Sequence, residues 1–311
     1  MNLSSKIMVA GARGLVGSAI VRRLQALGYT NVLLIDRDVA DLTEQAEVRQ
    51  LFERERPEYV FLAAAKVGGI LANKTHKADF IRINLAIETN VIEAAWKTGV
   101  QKLLFLGSSC IYPKNAPQPM REEHLLTGPL EETNDAYAIA KIAGIKMCQS
   151  FNDQYGTHFI SVMPTNLYGP NDNFDLETSH VLPAMIRKFV EAKKRGDAQV
   201  LFWGTGSPRR EFLHVDDLAD AVVHLMNVYD GSDIVNIGTG EDLTIRELAE
   251  TIKAAVGYEG ELVWDASKPD GTPRKLLDVG RLHGLGWNHR ISLEQGIKST
   301  IDWYLANAPS V

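Results

Sequence analysis

Short apolar runs alternate with longer amphipathic segments through the first half of the chain. Five runs predict buried strands, at residues 6–10, 32–36, 59–63, 103–107 and 158–163. The segments 15–27, 78–98 and 136–155 carry apolar residues at helical spacing. Parallel strands need long crossover connections, so this alternation predicts an α/β fold, with a doubly wound parallel sheet and helices on both faces.

The pattern changes after Pro164. A loop rich in turn formers, at residues 168–175, precedes a predicted helix at 182–194 and a predicted strand at 200–203. We therefore expect a first domain at residues 1–166 and a smaller α/β domain over most of residues 167–311. A helix predicted at 215–228 and a strand at 234–238 indicate that the chain returns to the first sheet at about residues 211–250, so that the domains are interleaved.

Composition and charge exclude several classes of protein. Hydrophobic residues make up 45% and charged residues 23% of the 311 residues, and the formal net charge is -6; these values indicate a globular protein that does not bind nucleic acid. No apolar run is long enough for a membrane span or a signal peptide. The two cysteines form no disulfide framework, and no residues group at metal-ligand spacing, so we expect a cytoplasmic protein without a metal site.

A glycine-rich loop separates the first predicted strand from the first predicted helix. Its glycines, Gly11, Gly14 and Gly17, are three residues apart. Glycines let the backbone approach a pyrophosphate closely, and a helix N-terminus offers it free N–H groups and a favourable dipole. The alternative is an ordinary glycine-rich turn, but the position between strand and helix favours a dinucleotide site. The first domain is therefore predicted to be a dinucleotide-binding Rossmann domain.

The residues at the end of the second predicted strand point to different dinucleotides. Asp36 would bond a ribose 2′-hydroxyl and favour NAD, whereas Arg13 and Arg37 would pair with the 2′-phosphate of NADP. Two guanidiniums facing a dianionic phosphate favour NADP, used as NADPH. Asp41 and Leu42 are expected near the adenine.

Three residues suited to proton transfer follow the dinucleotide loop. Tyr137 and Lys141 are four residues apart, on one face of a predicted helix, where a nearby ammonium would stabilise a phenolate. Ser108 follows a predicted strand, and ligands of open α/β sheets bind at such strand ends. A chance pair on a surface helix is the alternative for the tyrosine and lysine. Together with Ser108 and the glycine loop, the pair predicts an oxidoreductase or a cofactor-using isomerase.

Six longer segments carry a family resemblance. They are 63–69 (AAAKVGG), 107–113 (GSSCIYP), 137–144 (YAIAKIAG), 164–174 (PTNLYGPNDNF), 210–217 (REFLHVDD) and 268–275 (KPDGTPRK). Together they resemble the GDP-L-fucose synthase family, which belongs to the extended short-chain dehydrogenase/reductase superfamily, over essentially the whole chain. The resemblance implies a homodimer that converts GDP-4-keto-6-deoxy-D-mannose by epimerisation at C3 and C5 and NADPH-dependent reduction at C4.

The resemblance also implies roles for individual residues. Ser108 holds the C4 carbonyl oxygen, Tyr137 transfers its proton, and Lys141 binds the nicotinamide ribose and lowers the pKa of Tyr137. Protons next to the ketone are acidic, and Cys110 is implied as the base and His180 as the acid that exchange them.

Two further sets of residues are expected to bind ligands. The implied substrate-binding residues are Ser109, Asn166, Lys188, Trp203, Arg210 and Asp270. The implied cofactor-binding residues are Gly11, Arg13, Gly14, Leu15, Val16, Gly17, Arg37, Asp41, Leu42, Ala64, Leu106, Gly107, Lys141, Pro164, Asn166, Leu167 and His180.

Structural alternatives remain open for several of these residues. Cys110 has the alternative of a small core residue, and His180 that of a helix cap or an exposed side chain. Lys188 has the alternative of a solvated surface lysine, and Trp203 that of a core residue. Cys148, which has no matching partner in its helix, is expected to serve packing alone.

Other functions remain open as well. The nearest alternative is another NAD(P)-dependent nucleotide-sugar 4-epimerase or dehydratase. A dehydratase of this superfamily usually has an acid pair where this chain has Ser109 and Cys110, and a 4-epimerase does not need a cysteine and a histidine. A second alternative is a non-catalytic dinucleotide-binding protein, which could lose its tyrosine or lysine without harm.

Overall fold

A computed structural model describes residues 1–268 and 270–307 of the chain. Its strands are β1 (Ile7–Ala10), β2 (Val32–Ile35), β3 (Tyr59–Leu62), β4 (Lys102–Leu106), β5 (Phe159–Pro164), β6 (Asn166–Tyr168), β7 (Gln199–Trp203), β8 (Arg209–Arg210), β9 (Phe212–His214), β10 (Val235–Ile237), β11 (Leu243–Thr244), β12 (Glu261–Asp265) and β13 (Arg274–Lys275). Its helices are α1 (Leu15–Ala26), α2 (Gln45–Glu55), α3 (Ile70–Thr75), α4 (Lys77–Lys97), α5 (Asp135–Tyr155), α6 (Val181–Arg195), α7 (Val215–Val228), α8 (Ile245–Val256), α9 (Gly280–Gly284) and α10 (Leu293–Asn307).

A six-stranded sheet forms the centre of the molecule. Its strand order is β2-β1-β3-β4-β5-β10, and every neighbouring pair is parallel. The chain runs outward from β1 to β2 and then continues from β3 on the other side of β1. In open α/β sheets such a reversal leaves a crevice at the carboxyl ends of the strands, where ligands bind. The predicted doubly wound parallel fold is confirmed.

Helices cover both faces of the central sheet. One face packs against α2, α4 and α5 through an apolar cluster that includes Phe52, Val91 and Ile145. The other face packs against α1 and α7 through a cluster that includes Leu24 and Val222. Strands β1, β3, β4 and β5 are buried along nearly their whole length. Burial on both faces explains why they read as continuous apolar runs without polar alternation.

A smaller unit with its own apolar cluster lies on the C-terminal side of the sequence. Helices α6, α8 and α10 pack there around residues such as Phe189, Ile252 and Ile301. Three small sheets accompany them: β7 pairs with β12, β6 pairs with β9, and β8 lies between β11 and β13. Strand β10 nevertheless belongs to the central sheet, where it pairs with β5. The domain limits at 166 and 167 remain a prediction, and residues 308–311 lie outside the described residues.

The predicted elements differ from the structure mainly at their ends. The helix predicted at 215–228 coincides with α7, and the helix predicted at 182–194 extends by one residue at each end to form α6. Helix α2 was not predicted, because it buries only Val48, Leu51 and Phe52 and its other residues are mostly charged or polar. No helix in the described part of the chain is both long enough and apolar enough to cross a membrane.

Candidate active site

The glycine loop forms a tight turn between β1 and α1. Gly11 has φ +83°, a left-handed conformation that favours glycine, and a Cβ there would approach the backbone of Ala64 at the end of β3 to 2.9 Å. A Cβ at Gly17 would collide with the Gly11 carbonyl oxygen. Gly14 is the N-cap of α1, and neither a side-chain cap nor an acidic residue occupies the first turn of that helix. The first N–H groups of α1 are therefore free to bind an anion.

Charged residues surround the position expected for the adenosine ribose. The guanidinium of Arg13 pairs with Asp38 at 2.7 Å and with Asp36 at 3.6 Å, and the backbone N–H of Arg13 donates to Asp36. Asp36 is therefore engaged by Arg13, while Arg37 is exposed. This arrangement weakens the case for Asp36 as a ribose ligand, because its carboxylate already has a cationic partner.

The two residues expected near the adenine serve the local turn. Asp41 accepts hydrogen bonds from the backbone N–H and the hydroxyl of Thr43, which lower the pKa of Asp41. Leu42 is buried, and Asn90 of α4 donates to its carbonyl.

The serines and the cysteine lie at the carboxyl end of β4. Gly107 follows the strand, and residues Ser109–Ile111 form one turn of 3-10 helix. The Ser108 hydroxyl caps this turn by accepting the backbone N–H of Cys110 at 3.2 Å. Ser109 is buried, whereas Ser108 and Cys110 are half-buried. The turn therefore leaves Ser108 and Cys110 partly exposed at the strand end where the crevice opens.

Helix α5 brings Tyr137 next to this turn. Burial raises the pKa of Tyr137, the nearby acidic groups of Cys110 and Glu88 raise it further, and the neighbouring Ser108 hydroxyl lowers it. Phe80 of α4 packs edge-on against the tyrosine ring, with ring centroids 6.3 Å apart. Ser108, Cys110 and Tyr137 thus form one group.

Lys141 lies one helical turn beyond Tyr137, and its ammonium is paired elsewhere. Its Nζ stands 5.9 Å from the centroid of the Tyr137 ring but only 3.0 Å from Glu88 on α4. Burial dominates the pKa of Tyr137 in this arrangement and Glu88 raises it further, so the lowering of that pKa by Lys141 stays a prediction.

His180 is the N-cap residue of α6, and its side chain makes no capping hydrogen bond. The preceding turn is held by Asp175, which accepts from the backbone N–H groups of Glu177 and Thr178. His180 is exposed, as its structural alternative expected, and partial desolvation lowers the pKa of its imidazole.

The loop after β3 meets the segment that carries His180. The backbone N–H of Gly69 donates to the Thr178 carbonyl at 2.9 Å, and a Cβ at Gly69 would approach the Ser179 carbonyl oxygen to 2.6 Å. A Cβ at Gly68 would contact Phe80, which itself packs on Tyr137. Successive contacts thus connect the His180 segment with the Tyr137 group.

The expected substrate residues of the smaller unit lie in different environments. Lys188 is half-buried, donates to the Leu201 carbonyl and has a pKa lowered by burial, so it is not a fully solvated lysine, and its role in substrate binding stays a prediction. Trp203 is 66% exposed, which excludes the core alternative. The ammonium of Lys268 lies 5.7 Å from the centroid of the Trp203 ring.

Arg210 connects the smaller unit with the Tyr137 group. Burial lowers the pKa of Arg210, and negative charge at Cys110 and at Asp270 raises it. Asp270 accepts from the backbone N–H and the hydroxyl of Thr205, so its carboxylate is engaged in a loop contact. Asn166 donates to the Glu211 carbonyl, which ties β6 to the segment next to Arg210.

The remaining expected cofactor residues are spread over the same strand ends and the glycine loop. Leu106 and Pro164 are buried at the ends of β4 and β5, and Leu167 packs against the cluster beneath α1 and α7. Leu15 and Val16, in the first turn of α1, pack against that cluster too.

Sequence reasoning missed two residues in contact with the site, Glu88 and Gly69. An acid at an inward position of a predicted amphipathic helix was the available signal for Glu88. For Gly69 the signal was a glycine pair directly after a predicted strand.

The fold and the group of serine, tyrosine and lysine define a nicotinamide-dependent enzyme built on a Rossmann sheet. The chain belongs to the NAD dependent epimerase/dehydratase family, whose model matches residues 7–238. The GDP-L-fucose synthase 1 of Arabidopsis thaliana is 63% identical over 304 residues, covering 98% of this chain and 94% of that protein. The GDP-L-fucose synthase of Escherichia coli (strain K12) is 57% identical over 311 residues, covering 97% of each.

A solved structure agrees with these relatives. The crystal structure of a GDP-L-fucose synthetase from Naegleria fowleri bound to NADP is 32% identical, with a TM-score of 0.92, and the match covers 99% of this chain and 94% of that one. The resemblance to the GDP-L-fucose synthase family is confirmed.

Proposed function

We propose that this chain converts GDP-4-keto-6-deoxy-D-mannose to GDP-L-fucose, by epimerisation at C3 and C5 followed by NADPH-dependent reduction of the C4 ketone. Full-length relatives at 57% and 63% identity that bear the name GDP-L-fucose synthase support this function. The structural observation that carries it is the position of Cys110, half-buried in the turn after β4 that Ser108 caps, near both Tyr137 and Arg210. A thiol thus lies near both the tyrosine expected to transfer a proton and an arginine expected to bind the substrate.

NADP(H) is the cofactor that this site accommodates. The backbone at Gly11 runs close to Ala64, and the absence of a side chain there leaves space for a pyrophosphate. The uncapped first turn of α1 offers it free N–H donors. Arg37 is exposed beside Asp41 and is available to a 2′-phosphate. The side chain of Arg13 is 74% exposed and would exchange its contact with Asp38 for that phosphate. When bound, the reduced nicotinamide supplies the hydride for C4. Lys141 is the residue that would hold the nicotinamide ribose.

Ser108 and Tyr137 act on the C4 carbonyl oxygen. Both donate hydrogen bonds to this oxygen, and they stabilise the negative charge that develops there when a neighbouring proton is removed. In the reduction, Tyr137 gives its phenolic proton to the oxygen as hydride arrives at C4. Tyr137 is half-buried, and its raised pKa keeps the phenol protonated at neutral pH, which suits this role as an acid.

Cys110 and His180 exchange the protons at C3 and C5. The Cys110 thiolate removes a proton from one face of the ring, and the His180 imidazolium returns a proton to the opposite face, so the configuration inverts. Because Ser108 and Tyr137 donate hydrogen bonds to the C4 oxygen, the protons on C3 and C5 become acidic enough for this exchange. His180 lies at the N-cap of α6 and makes no capping hydrogen bond, so its ring is available.

The smaller unit binds the nucleotide. Arg210 pairs with the diphosphate, and Lys188 adds a second cation. Trp203 is an exposed aromatic platform suited to a guanine. Ser109 and Asn166 orient the hexose, and Asp270 contacts the nucleoside.

We further propose a cytoplasmic homodimer. Helices α4 and α5 pack side by side on one face of the central sheet, and Ile139 of α5 is 46% exposed. An exposed apolar residue on a helix pair suits contact with a second copy of the pair. Two free cysteines, Cys110 and Cys148, suit a reducing compartment.

Substrate identity is tested by turnover of purified protein on a panel of nucleotide sugars. We expect oxidation of NADPH with GDP-4-keto-6-deoxy-D-mannose and release of GDP-L-fucose. Conversion of UDP-glucose to UDP-galactose, or elimination of water from GDP-mannose, without NADPH oxidation would instead establish the alternative epimerase or dehydratase.

A further inference from the structure

A buried acid, Glu88, faces the ammonium of Lys141. Glu88 Oε1 lies 3.0 Å from Lys141 Nζ, and the two side chains are 2% and 3% exposed. Apart from Lys141, no hydrogen-bond partner reaches either carboxylate oxygen of Glu88 within residues 1–268 and 270–307. The lysine is therefore the group on which the charge of Glu88 acts most directly.

The neighbours of the ion pair fix its position. A Cβ at Gly144, on the same helix as Lys141, would approach Glu88 Oε2 to 2.9 Å and would collide with the Phe105 ring. Lys141 Nζ stands 4.7 Å from the centroid of that ring, which is within cation–π range. Gly144 and Phe105 thus leave room for the carboxylate and the ammonium and confine both.

Stability of the fold does not by itself explain a pair of this kind. Desolvation of two charges costs several kcal/mol per ion, and apolar side chains of similar volume often stabilise a core equally well or better. Loss of one partner is different, because it leaves an uncompensated buried charge. A function for the pair therefore has to be sought in what its charges do to their neighbours.

We propose that Glu88 is a positioning residue for the reaction, whose carboxylate fixes the Lys141 ammonium beside Tyr137 and offsets part of its charge. The inference rests on the role of Lys141 in the proposed function. Glu88 acts through the lysine, and its negative charge favours the protonated form of Tyr137. Burial of Tyr137 and the neighbouring Cys110 and Ser108 also act on its pKa. The charges of Glu88 and Lys141 thus contribute to setting the pH at which Tyr137 loses the proton that ketone reduction needs.

The first test is the pH dependence of single-turnover NADPH oxidation by Glu88→Gln. The amide keeps the shape of the carboxylate and removes its charge, so the Lys141 charge is no longer offset and the pKa of Tyr137 falls. Reduction should therefore decline at a pH about one unit lower than in the parent protein. The control is Glu93→Gln, which removes an acid of the same helix that pairs with Lys97 near the surface and should leave the profile unchanged. The proposal is overturned if reduction by Glu88→Gln declines at the same pH as in the parent protein or at a higher pH.

The second test measures NADPH affinity by fluorescence, without turnover. Glu88→Ala removes the anchor of Lys141 and should raise the Kd for NADPH about tenfold, whereas in a Lys141→Met background the same change should have no further effect. If Glu88→Ala binds NADPH with the Kd of the parent protein while Lys141→Met binds it more weakly, the inference about Glu88 is overturned and the proposed function is not. A Lys141→Met protein that binds and reduces normally overturns the proposed role of Lys141 instead.

Discussion

The two cysteines show how the surroundings of a residue decide its chemistry. Cys110 is half-buried in a turn at a strand end, next to Tyr137 and Arg210, whereas Cys148 is fully buried in α5 and burial raises the pKa of its thiol to about 12. Thiolate, not thiol, removes protons. Cys110 is therefore the candidate base, and Cys148 is a packing residue.

Replacement of Cys110 should separate the two halves of the reaction. Cys110→Ser should slow proton exchange at C3 and C5 by about 100-fold or more, because a hydroxyl is a far weaker base, while hydride transfer to the unepimerised ketone continues. Mass spectrometry of the product and the rate of NADPH oxidation measure the two steps. Cys148→Ala is the matched control and should exchange protons normally. Equal loss of both steps in folded Cys110→Ser protein would contradict the base assignment.

A half-buried acid in the loop before α6, Asp172, makes stability depend on pH. Burial raises the pKa of Asp172 to about 7, against an ordinary value of 3.8. The folded state therefore binds more protons than the unfolded state between about pH 4 and pH 7, and the free energy of unfolding falls as the pH rises through that window.

Asp172→Asn should consequently raise thermal stability at pH 8 by about 3 °C or more and change it little at pH 4. Thermal unfolding at the two pH values measures the difference. Asp175→Asn is the contrasting variant in the same loop: its pKa is lowered by hydrogen bonds from Thr178, so this change should lower the melting temperature at pH 8. An unchanged or lower melting temperature for Asp172→Asn at pH 8 would contradict the assignment.

For single residues, the sequence could predict which side chains are reactive better than it could predict which residues they contact. Ser108, Cys110 and Tyr137 were identifiable as reactive side chains, and they lie together. The pairing of Lys141 with Glu88 was not predictable, because it depends on how α4 and α5 pack. Trp203 was ambiguous for the same reason: its strand is apolar, and only the pairing of β7 with β12 leaves it exposed.

At the scale of elements, one loop contact controls the position of His180. The Gly69 backbone lies so close to the Thr178–Ser179 segment that no side chain fits. This contact fastens the start of α6 to the loop after β3.

Gly69→Ala should displace the His180 segment and lower the rate of proton exchange by about tenfold, with a smaller effect on NADPH binding, because the glycine loop at Gly11 is left intact. Hydrogen–deuterium exchange into the sugar and an NADPH titration give the two values. Gly284→Ala is the control, since a Cβ there meets nothing within 4 Å. Proton exchange at the parental rate in Gly69→Ala would contradict this view of the loop.

Elements with strong periodicity were predictable, and short ones were not. α7 carries a full apolar stripe, so its limits could be read from the sequence. Strands β6, β8, β9, β11 and β13 have two or three residues each, too few for any period to be recognised. They exist because distant segments pair, as β6 does with β9.

For the whole molecule, Glu211 joins the central sheet to the smaller unit. It is fully buried, and its carboxylate accepts the backbone N–H groups of Thr239, Gly240 and Leu277 at 2.7 to 3.0 Å. These three groups follow β10 or precede α9, so one side chain ties together three separate parts of the chain.

Glu211→Ala should lower the free energy of unfolding by about 3 kcal/mol or more, because it leaves three buried N–H groups without an acceptor. Urea unfolding measures this loss. The exposed neighbour Glu241 provides the control, since Glu241→Ala should change the free energy of unfolding by less than about 0.5 kcal/mol. A loss for Glu211→Ala as small as that of the control would contradict the role of Glu211.

The overall architecture followed from the strand and helix alternation, but the contacts between the two units did not. The return of β10 to the sheet was predictable because 234–238 reads as a buried strand. The ties made by Glu211 and Gly69 depend on backbone groups, whose partners no side-chain pattern reveals.

The most direct measurement is turnover in deuterated water. Purified protein is incubated with GDP-4-keto-6-deoxy-D-mannose and NADPH, and the product is analysed by mass spectrometry and NMR. Oxidation of NADPH and a GDP-L-fucose that carries non-exchangeable deuterium at both C3 and C5 is the predicted result. A reduced product without deuterium at these carbons, or folded protein that binds NADPH and does not oxidise it, would contradict the account.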